Sequence, residues 1–298
     1  MPPLTRLVET QSLGECWLAV SRLILTEGQP CRYDGAPTLE IANLTLAAAQ
    51  PDPDDPLIRR HGDPAWLDWM HSNFFVQKAV AELGDAPSYA IRLFNYANQG
   101  RDQLAWVVQR LRADREARSA AITTFMPLTD TSYIPCISLL DFWVPGEALE
   151  LVVYAHSLDF GKKAYGNLVE LALLQQHVAR QLQLPLGPML IHVKTAHLYQ
   201  PEWDYMRGLV ALGFPHIIAI PSPNAARIIA FNDLANIQGV TLVESYFDTA
   251  IRPRPPHGVV LFAPCSFNSL NKLAHGIADT LALSVAAEAI GRRTPASR

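Results

Sequence analysis

Residues 137–182 read ISLLDFWVPGEALELVVYAHSLDFGKKAYGNLVELALLQQHVARQL, and they carry the clearest secondary-structure signals in the chain. Residues 137–143 and 149–154 are apolar runs of strand length, and the Val-Pro-Gly-Glu between them predicts the turn of a hairpin. Residues 167–182 have helical periodicity and are hydrophobic around most of the helix surface, so we expect this helix to be central. Strands followed by a long buried helix indicate an α+β fold.

The residues before and after this stretch extend the same pattern. Residues 64–83 have helical periodicity, and Pro64 suits the first turn of a helix. The proline- and aspartate-rich QPDPDDP at 50–56 predicts a loop. The other expected elements are a strand at 36–47, helical segments at 89–96 and 102–113, and a strand at 189–193.

The chain changes character after about residue 203, where short strands and helices alternate. Residues 216–220 and 258–263 are continuously apolar, as parallel strands covered on both faces tend to be. The other expected elements here are helices at 203–212 and 269–290, one further helix, and a strand at 240–244. We therefore predict two domains, residues 1–203 and residues 204–298, of which the second is a partial, doubly wound, flavodoxin-like α/β unit.

Composition excludes several classes of protein. Of the 298 residues, 49% are hydrophobic and 17% are charged, so a large core can form and a disordered chain is excluded. The net charge of -4 argues against a dedicated binder of nucleic acid or of an anionic membrane. No apolar run approaches the roughly 18 residues that cross a bilayer, and the N-terminal MPPLTRLVETQ lacks the apolar region of a signal peptide.

The cysteines point to a reducing environment. They are Cys16, Cys31, Cys136 and Cys265. Their wide spacing, without a CxxC pair, predicts a cytoplasmic protein that has neither disulfides nor a metal site.

Cys136 is the cysteine with the most suggestive neighbours, because it follows Pro135 at the start of a predicted strand. A nucleophilic thiol must ionise, which requires positive or hydrogen-bonding groups nearby. The candidates for such groups are Arg118, His156, Lys162 and Lys163. A buried cysteine can equally be an inert small hydrophobe.

The other polar candidates also have a structural interpretation. His156, Ser157 and Asp159 can form a polar strand end with a capping residue. His197 and Tyr199 can be packed polar residues in a short loop after the strand at 189–193.

Taken together, however, the order and spacing of these residues resemble the thymidylate synthase family, which includes the pyrimidine nucleotide hydroxymethylases. The matching pieces are Pro135-Cys136, His156-Ser157-Leu158-Asp159, Asn167 and His197-Leu198-Tyr199. The family pattern reads Pro-Cys, Arg-Ser-x-Asp, Asn and His-[Ile/Leu]-Tyr. Upstream, Ala86-Pro87-Ser88-Tyr89 is similar to the family's Gly-Pro-x-Tyr, and Asp102-Gln103 matches its Asp-Gln pair. The resemblance covers about residues 15–203.

The resemblance implies a homodimer with a mixed sheet, and a reaction on a small pyrimidine. Thiolate addition of Cys136 at C6 would turn C5 into an enolate-like carbanion. That carbanion would attack the iminium form of 5,10-methylenetetrahydrofolate. The intermediate would then be reduced by hydride, giving methylation, or capture water, giving hydroxymethylation.

The resemblance also implies roles for individual residues. Asn167 would read the base edge, and its amide can accept from N3–H and donate to O4, which suits uracil, whereas cytosine-specific relatives have aspartate there. Asp159 would act with Cys136 in catalysis by engaging the folate pterin. His197 and Tyr199 would bond the sugar hydroxyl. The remaining substrate-site residues carried over are Tyr89, His156, Ser157 and Arg118, with Ser157 and Arg118 at the phosphate and Arg118 reaching across the dimer interface.

Several departures from the family pattern affect the same site. His156 replaces the arginine before Ser-x-Asp, and Ser119 replaces the second arginine of the interface pair. The loss of two guanidinium groups predicts weaker phosphate binding. No glutamate occurs between Ile41 and Ala81 to match the family's catalytic glutamate, and Asp68 has the wrong spacing to replace it. We expect either a substrate with a weaker anion than a nucleotide or a catalytically compromised domain.

A second resemblance begins where the first ends. Residues 263–272 read APCSFNSLNK and residues 276–281 read GIADTL, similar to the Ala-Pro-Ala-x-x-Asn-[Thr/Ser]-x-x-Lys and Gly-Ile-Ala-Asp of the flavoproteins that include phosphopantothenoylcysteine decarboxylase. A small-residue loop that opens a helix is an anion site, here for FMN. The implied FMN contacts are Ser222, Ser266, Asn268 and Ser269. Alternatively, the small residues only permit close packing of helix and strand.

Three hypotheses follow. The first is folate-dependent one-carbon transfer to C5 of a uracil-like pyrimidine through Cys136. The second is an FMN-binding flavoprotein with a redox or decarboxylase-like role. The third is a non-catalytic remnant of both families.

Overall fold

The computed structural model describes residues 4–131, 133–212, 217–222, 224–225, 230–231, 233, 240–245, 260–261, 266–291 and 296–297. The chain divides into two compact units, Met1–Gly213 and Phe214–Arg298. The helix Trp203–Leu212 lies within the first unit, whereas the sequence predicts the domain boundary at residue 203, at the start of this helix.

The first unit contains one mixed sheet and a separate small strand pair. The strands of the sheet are β1 Arg6–Thr10, β2 Gln29–Tyr33, β3 Ala36–Ala48, β6 Ala120–Thr123, β7 Ile137–Trp143, β8 Leu149–Ala155, β9 Leu158–Asp159 and β10 Leu186–Tyr199, and the small pair is β4 Ala79–Val80 with β5 Ala86–Pro87. The strand order in the sheet is β1-β3-β10-β8-β7-β6, with β2 paired to β3 and β9 to β10. Strand β10 runs parallel to β8 and β9 but antiparallel to β3, and β7 is antiparallel to both β8 and β6. The expected α+β fold with a mixed sheet is confirmed.

The described helices of this unit are α1 Leu13–Glu27, α2 Pro56–His61, α3 Pro64–Phe75, α4 Tyr89–Phe94, α5 Gln103–Ala113, α6 Ala164–Leu182 and α7 Trp203–Leu212. Helix α6 is central, as its apolar surface predicted, and most of its residues are buried. Its buried Gln175 donates from Nε2 to the carbonyls of Leu149 at 2.8 Å and Gly187 at 3.0 Å, which ties the helix to β8 and β10.

Helix α1 was not predicted, although its start carries a capping box. The Ser12 hydroxyl accepts from the Glu15 amide, and the Glu15 carboxylate accepts from the Ser12 amide. The indole of Trp17 donates to the Phe160 carbonyl at 2.8 Å. Because Phe160 directly follows β9, this bond fixes the loop between β9 and α6 against the core.

The predicted hairpin is confirmed by the antiparallel pairing of β7 with β8. The helix predicted at 64–83 was wrong, since α3 ends at Phe75 and a strand and a short 3-10 turn follow. Tertiary bonds override the local period here, because the Ser88 hydroxyl donates to the Val76 carbonyl at 3.0 Å and accepts from the Lys78 amide at 3.2 Å. Gly84, at φ 66, then supplies the left-handed residue that turns the chain back.

The prediction for His197 and Tyr199 was also wrong in its secondary structure. They lie within β10, not in a loop after residue 193. Strand β3 is long enough to pair with β10 as far as Tyr199, opposite Thr38. The polar end of β10 therefore stays in the sheet and faces the residues of β9.

The second unit contains two short parallel pairs among its described residues. Strand Ile217–Ala219 pairs with Val240–Leu242, and Val260–Leu261 pairs with Ala296–Ser297. The helix predicted at 269–290 is two helices, Phe267–Ala274 and Leu281–Gly291, and Gly276 at φ 71 lies between them. The helix predicted between 220 and 240, and most of the strand predicted at 258–263, lie outside the described residues. Parallel pairs and helices agree with the α/β class.

In the described part of the chain, no helix has both the length and the apolar character needed to cross a membrane.

Candidate active site

Cys136 immediately precedes β7, and its backbone is held by hydrogen bonds to its own carbonyl and from the amide of the next residue. The His156 amide donates to the Cys136 carbonyl at 2.9 Å, and the Ile137 amide donates to the Tyr89 hydroxyl oxygen at 3.0 Å. Tyr89 is buried and stacks on Phe74 with ring centroids 4.4 Å apart. Tyr89 therefore positions the backbone beside the thiol.

Strand β9 brings Ser157 and Asp159 to His197. Asp159 and His197 are register partners in the β9–β10 ladder, and the Ser157 hydroxyl lies 3.2 Å from Nδ1 of His197. The amides of Gly161 and Lys162 donate to Oδ1 of Asp159 at 2.9 and 3.4 Å. Oδ2 of Asp159 makes no hydrogen bond with the described residues, so it is available to a ligand.

Aromatic rings surround His197. Tyr199 packs edge-on against it with centroids 5.1 Å apart, and Tyr33 packs against it at 5.8 Å. Tyr33 ends β2 and comes from the N-terminal hairpin, far away in sequence. No motif marks Tyr33, and the sequence analysis missed it.

Asn167 lies in the first turn of α6 and is only 5% exposed. Its side-chain amide makes no hydrogen bond with any described residue. The amide atoms keep some contact with solvent, so a small ligand can reach them. Asn167 is therefore a candidate for hydrogen bonding to a polar ligand.

The electrostatics of the site do not favour a resting thiolate. Burial raises the pKa of the Cys136 thiol; the ammonium of Lys163 acts in the opposite direction, and the carboxylate of Asp159 adds to the increase. Burial also raises the pKa of Asp159 and lowers that of His197, while each of these two residues favours the charged form of the other. Lys163 is thus the cation that opposes the burial of the thiol.

Replacing Lys163 by methionine should raise the pKa of Cys136 further, because a positive charge that favours the thiolate is lost. Thiolate is the reactive form, so alkylation of Cys136 by iodoacetamide near neutral pH should slow several-fold and its midpoint should move to higher pH. Peptide mass spectrometry across a pH series measures this rate. The matched control is Lys162→Met, since Lys162 pairs with Glu202 at 2.9 Å. Equal alkylation rates in the two variants would show that groups other than Lys163 set the pKa of the Cys136 thiol.

Arg118 does not join this cluster within its own protomer. It is exposed and precedes β6, whose first residue Ala120 pairs with Phe142 at the far end of β7. Six residues of strand separate Phe142 from Cys136, or about 20 Å. The hypothesis that Arg118 activates its own thiol is therefore wrong in geometry, and only donation between protomers remains open.

Asp68 also lies elsewhere, in the wall of a cavity of about 230 Å³ that contains Glu170 and His71. Glu170 is 2% exposed and lies 3.2 Å from Nδ1 of His71. Burial raises the pKa of Glu170 to about 8. The sequence analysis missed Glu170, because nothing in the apolar period of α6 distinguishes it from a solvent-facing glutamate.

Asp55 is a buried carboxylate in the segment that lacks glutamate, and it has a structural role. Its oxygens accept hydrogen bonds from the amides of Gly14, Leu57 and Ile58 at 2.8 to 3.1 Å. It therefore caps α2 and ties it to α1.

The second unit positions three of its four candidates, Ser266, Asn268 and Ser269, at the start of one helix. Ser266 caps the helix Phe267–Ala274, and its hydroxyl accepts from the Ser269 amide at 3.2 Å. Asn268 and Ser222 are exposed. Lys272 forms an ion pair with Asp279 at 2.6 Å, which lowers the pKa of Asp279. Cys265 and the rest of the loop before Ser266 lie outside the described residues.

The first unit thus combines a mixed sheet and a long buried helix with a thiol that precedes β7 and lies near Lys163 and Asp159. The family model described as Thymidylate synthase matches residues 51–219, more than half of the chain. The chain belongs to the thymidylate synthase family. The family model described as Flavoprotein matches residues 204–297, so both parts of the predicted architecture are confirmed.

Several relatives show how far the similarity extends. A "Putative thymidylate synthase" of Methanosarcina mazei is 26% identical over 210 residues, which cover 69% of this chain and 94% of the relative. A protein of the same description from Methanopyrus kandleri is 27% identical over 206 residues, covering 65% and 93%. The Thymidylate synthase of Varicella-zoster virus is 27% identical over 154 residues, covering 48% and 51%. The archaeal relatives are thus matched over nearly their whole length.

Proposed function

We propose that the first unit transfers a one-carbon group to C5 of a uracil-like pyrimidine, with Cys136 as the nucleophile. The observation that supports this proposal is the placement of Cys136 near Asp159 and Lys163, whose charges act on the thiol, together with the amide of Asn167 in the first turn of α6, which makes no hydrogen bond with a described residue. An amide accepts one hydrogen bond and donates another, which matches N3–H and O4 of uracil. Membership of the thymidylate synthase family supports the same class of substrate.

In the proposed reaction the sulfur of Cys136 bonds to C6 of the pyrimidine, and the ring electron pair moves toward C5 and O4. Asn167 holds the O4 edge, where the negative charge develops, by donating a hydrogen bond. C5 would then bond to the carbon that methylenetetrahydrofolate supplies. Loss of the C5 proton, departure of the folate nitrogen, addition of hydride or water to that carbon and expulsion of the sulfur would restore the ring and the thiolate. Methylation and hydroxymethylation share these steps.

A methylenetetrahydrofolate would supply the one-carbon unit, and the residues around Asp159 fit such a ligand. The available Oδ2 of Asp159 suits the N–H donors of a pterin. Trp66 and Trp69 pack edge to face with centroids 5.6 Å apart, and the Lys163 ammonium lies 5.8 Å from the Trp66 ring. These rings would provide an aromatic wall for a flat heterocycle.

Changing Asn167 to aspartate should shift the substrate preference from uracil toward cytosine. A carboxylate cannot donate to O4 of uracil but can accept from the amino group of cytosine. We expect kcat/KM for a uracil nucleotide to fall by about 100-fold, while that for the cytosine nucleotide rises. Steady-state kinetics on both nucleotides measure the change, and Asn98→Asp at an exposed turn serves as the control. An unchanged preference for the uracil nucleotide would show that Asn167 does not recognise the base.

We also propose that the working unit is a homodimer formed through the open face of the sheet. On β7 and β8 the residues alternate, and Leu139, Trp143 and Tyr154 are exposed while their neighbours pack on the core. Large apolar residues on one uncovered face favour a second copy of the chain as the occupant. Arg118 lies at the edge of the same sheet, from which it could reach a partner's site.

Mixed dimers should test this arrangement. Arg118→Ala and Cys136→Ser homodimers should each be inactive, whereas co-expression should restore about a quarter of wild-type activity, since half of the dimers then carry one intact site of two. Turnover per purified dimer is the measurement, and Arg115→Ala in the same loop is the control. Full activity of Arg118→Ala, or no complementation, would contradict donation of Arg118 between protomers.

A second candidate function concerns the second unit and is favoured by the Flavoprotein match. Ser266, Asn268 and Ser269 at the start of a helix, with Ser222, fit the phosphate of FMN because helix N-termini favour anions. Bound FMN would supply hydride or electron transfer. Purified protein incubated with FMN should turn yellow and quench flavin fluorescence. The Asn268→Ala variant should show both effects more weakly. A colourless protein would contradict this second candidate.

A further inference from the structure

A buried carboxyl group connects the packed helices α3 and α6. Glu170 of α6 is 2% exposed, and its Oε2 lies 3.2 Å from Nδ1 of His71 on α3. Oε1 of Glu170 makes no hydrogen bond with the described residues. The side chain borders a cavity of about 230 Å³ whose wall includes residues of α2, α3 and α6. The contact between Glu170 and His71 is therefore a polar bridge between α3 and α6 at the edge of a cavity.

The groups that face this carboxyl include no permanent cation that pairs with it. The titratable and charged side chains in the cavity wall are Asp54 and Arg59, from α2 and the loop before it, and Asp68 and His71, from α3. The Arg59 guanidinium forms an ion pair with Asp54, and both of these side chains are exposed. The described residues of α1, α5, β8 and β10 also pack on α6 but contribute nothing to this wall. Among the described residues, no lysine or arginine forms an ion pair with Glu170.

Burial makes the ionised form of Glu170 costly. A carboxylate that leaves water needs a counter-charge or several donors, and this carboxyl contacts a single imidazole nitrogen. Burial accordingly raises the pKa of Glu170 to about 8. Near pH 7 the pair of Glu170 and His71 thus retains one proton, which either member can carry. A protonated carboxyl donates to the imidazole, and an imidazolium donates to the carboxylate, so both forms keep the bridge.

We propose that this shared proton acts as a latch that holds α3 against α6, and that alkaline conditions release the latch. Once the pair has lost its proton, the carboxylate is stabilised by contact with water, which it gains when α3 moves away from α6. The ring of Trp66, also on α3, lies 5.8 Å from the Lys163 ammonium. Release therefore also loosens the aromatic side of the candidate site, whatever reaction that site performs. The latch does not depend on the proposed function.

The direction of the pH effect follows from the form that holds the proton more tightly. The closed form does so, because in an open form Glu170 meets water and regains the ordinary pKa of a glutamate; opening therefore releases a proton. The stabilisation of the closed form is complete below that ordinary value and is lost as pH rises through the raised value. The ratio of open to closed α3 should thus increase by at least about tenfold between pH 6 and pH 8 and change little above pH 9.

Hydrogen exchange of the α3 amides measures this ratio, because exchange requires local opening. Peptide mass spectrometry from pH 6 to pH 9.5, corrected for the intrinsic pH dependence of amide exchange, gives the protection at each pH. Wild type should lose protection in α3 as pH rises, whereas Glu170→Gln, which keeps the shape of the side chain without its charge, should not. The matched control is Asp68→Asn, which removes another carboxyl from the same cavity wall and should follow wild type. Glu170→Leu also lacks the titrating group and replaces the glutamine variant if that variant does not fold.

A loss of protection that is confined to α3 and its contacts on α6, and is absent without the Glu170 carboxyl, would support the latch. Constant protection of α3 in wild type over the whole pH range would overturn it. An equal decline in wild type and in the Glu170 variants would also overturn it, because another group would then be titrating. A decline spread over all described helices of the first unit would show global unfolding in place of a latch. None of these outcomes requires enzymatic activity, so failure of the proposed function leaves the test intact.

Discussion

Replacing Cys136 by serine should reduce turnover of a uracil nucleotide by about three orders of magnitude or more. A hydroxyl is a far weaker nucleophile than a thiolate at neutral pH. The wild-type protein mixed with nucleotide and methylenetetrahydrofolate should carry a nucleotide adduct on the peptide that contains Cys136. Intact-protein and peptide mass spectrometry detect this adduct, which the serine variant should lack.

Cys31→Ser is the matched control for that experiment. Cys31 is an exposed thiol on β2, outside the cluster around Cys136. Its replacement should leave both adduct and turnover unchanged. Full turnover by Cys136→Ser would contradict the proposed mechanism.

Replacing Arg92 by alanine should lower the free energy of unfolding by about 3–5 kcal/mol, the cost of leaving one partner of a buried ion pair alone. The side chains of Arg92 and Asp130 are 1% and 4% exposed. Two parallel bonds of 2.7 and 2.8 Å join them. Arg92 also donates to the carbonyls of Pro87 and Thr124, so its loss leaves several buried acceptors unsatisfied.

Urea unfolding of wild type and Arg92→Ala measures this effect. The control is Arg59→Ala, which breaks the exposed ion pair of Arg59 with Asp54 and should cost less than about 1 kcal/mol. Because the Arg92 pair anchors the segment that leads to Cys136, a destabilised variant should also alkylate faster at that thiol. Equal stability of the two variants would contradict a structural role for the buried pair.

The sequence predicted the parts of the fold that depend on strong local patterns. The hairpin of β7 and β8 and the helix α6 have continuous apolar faces and clear turn residues, so their type and position followed from the pattern. The prediction of one helix at 64–83 failed because Ser88, ten to twelve residues away, hydrogen-bonds to the backbone of Val76 and Lys78. Such bonds have no local sequence signal.

In the candidate site, too, some residues could be predicted from the sequence, whereas others depend on contacts between distant segments. The resemblance to the thymidylate synthase family singled out Cys136, Asp159, Asn167 and His197, and the structure pairs Asp159 with His197. Tyr33 was missed, because its position beside His197 arises from the pairing of strands that are distant in sequence. Glu170 was missed because burial, which raises its pKa, is a property of the folded helix packing.

The most direct test of the central claim is release of tritium from a uracil nucleotide labelled at C5, with methylenetetrahydrofolate present. Both methylation and hydroxymethylation expel the C5 hydrogen, so the measurement does not depend on which of them occurs. The proposed function predicts release by the wild-type protein in step with turnover, and none by Cys136→Ser. Absence of release from the folded wild-type protein, or equal release by the serine variant, would contradict it.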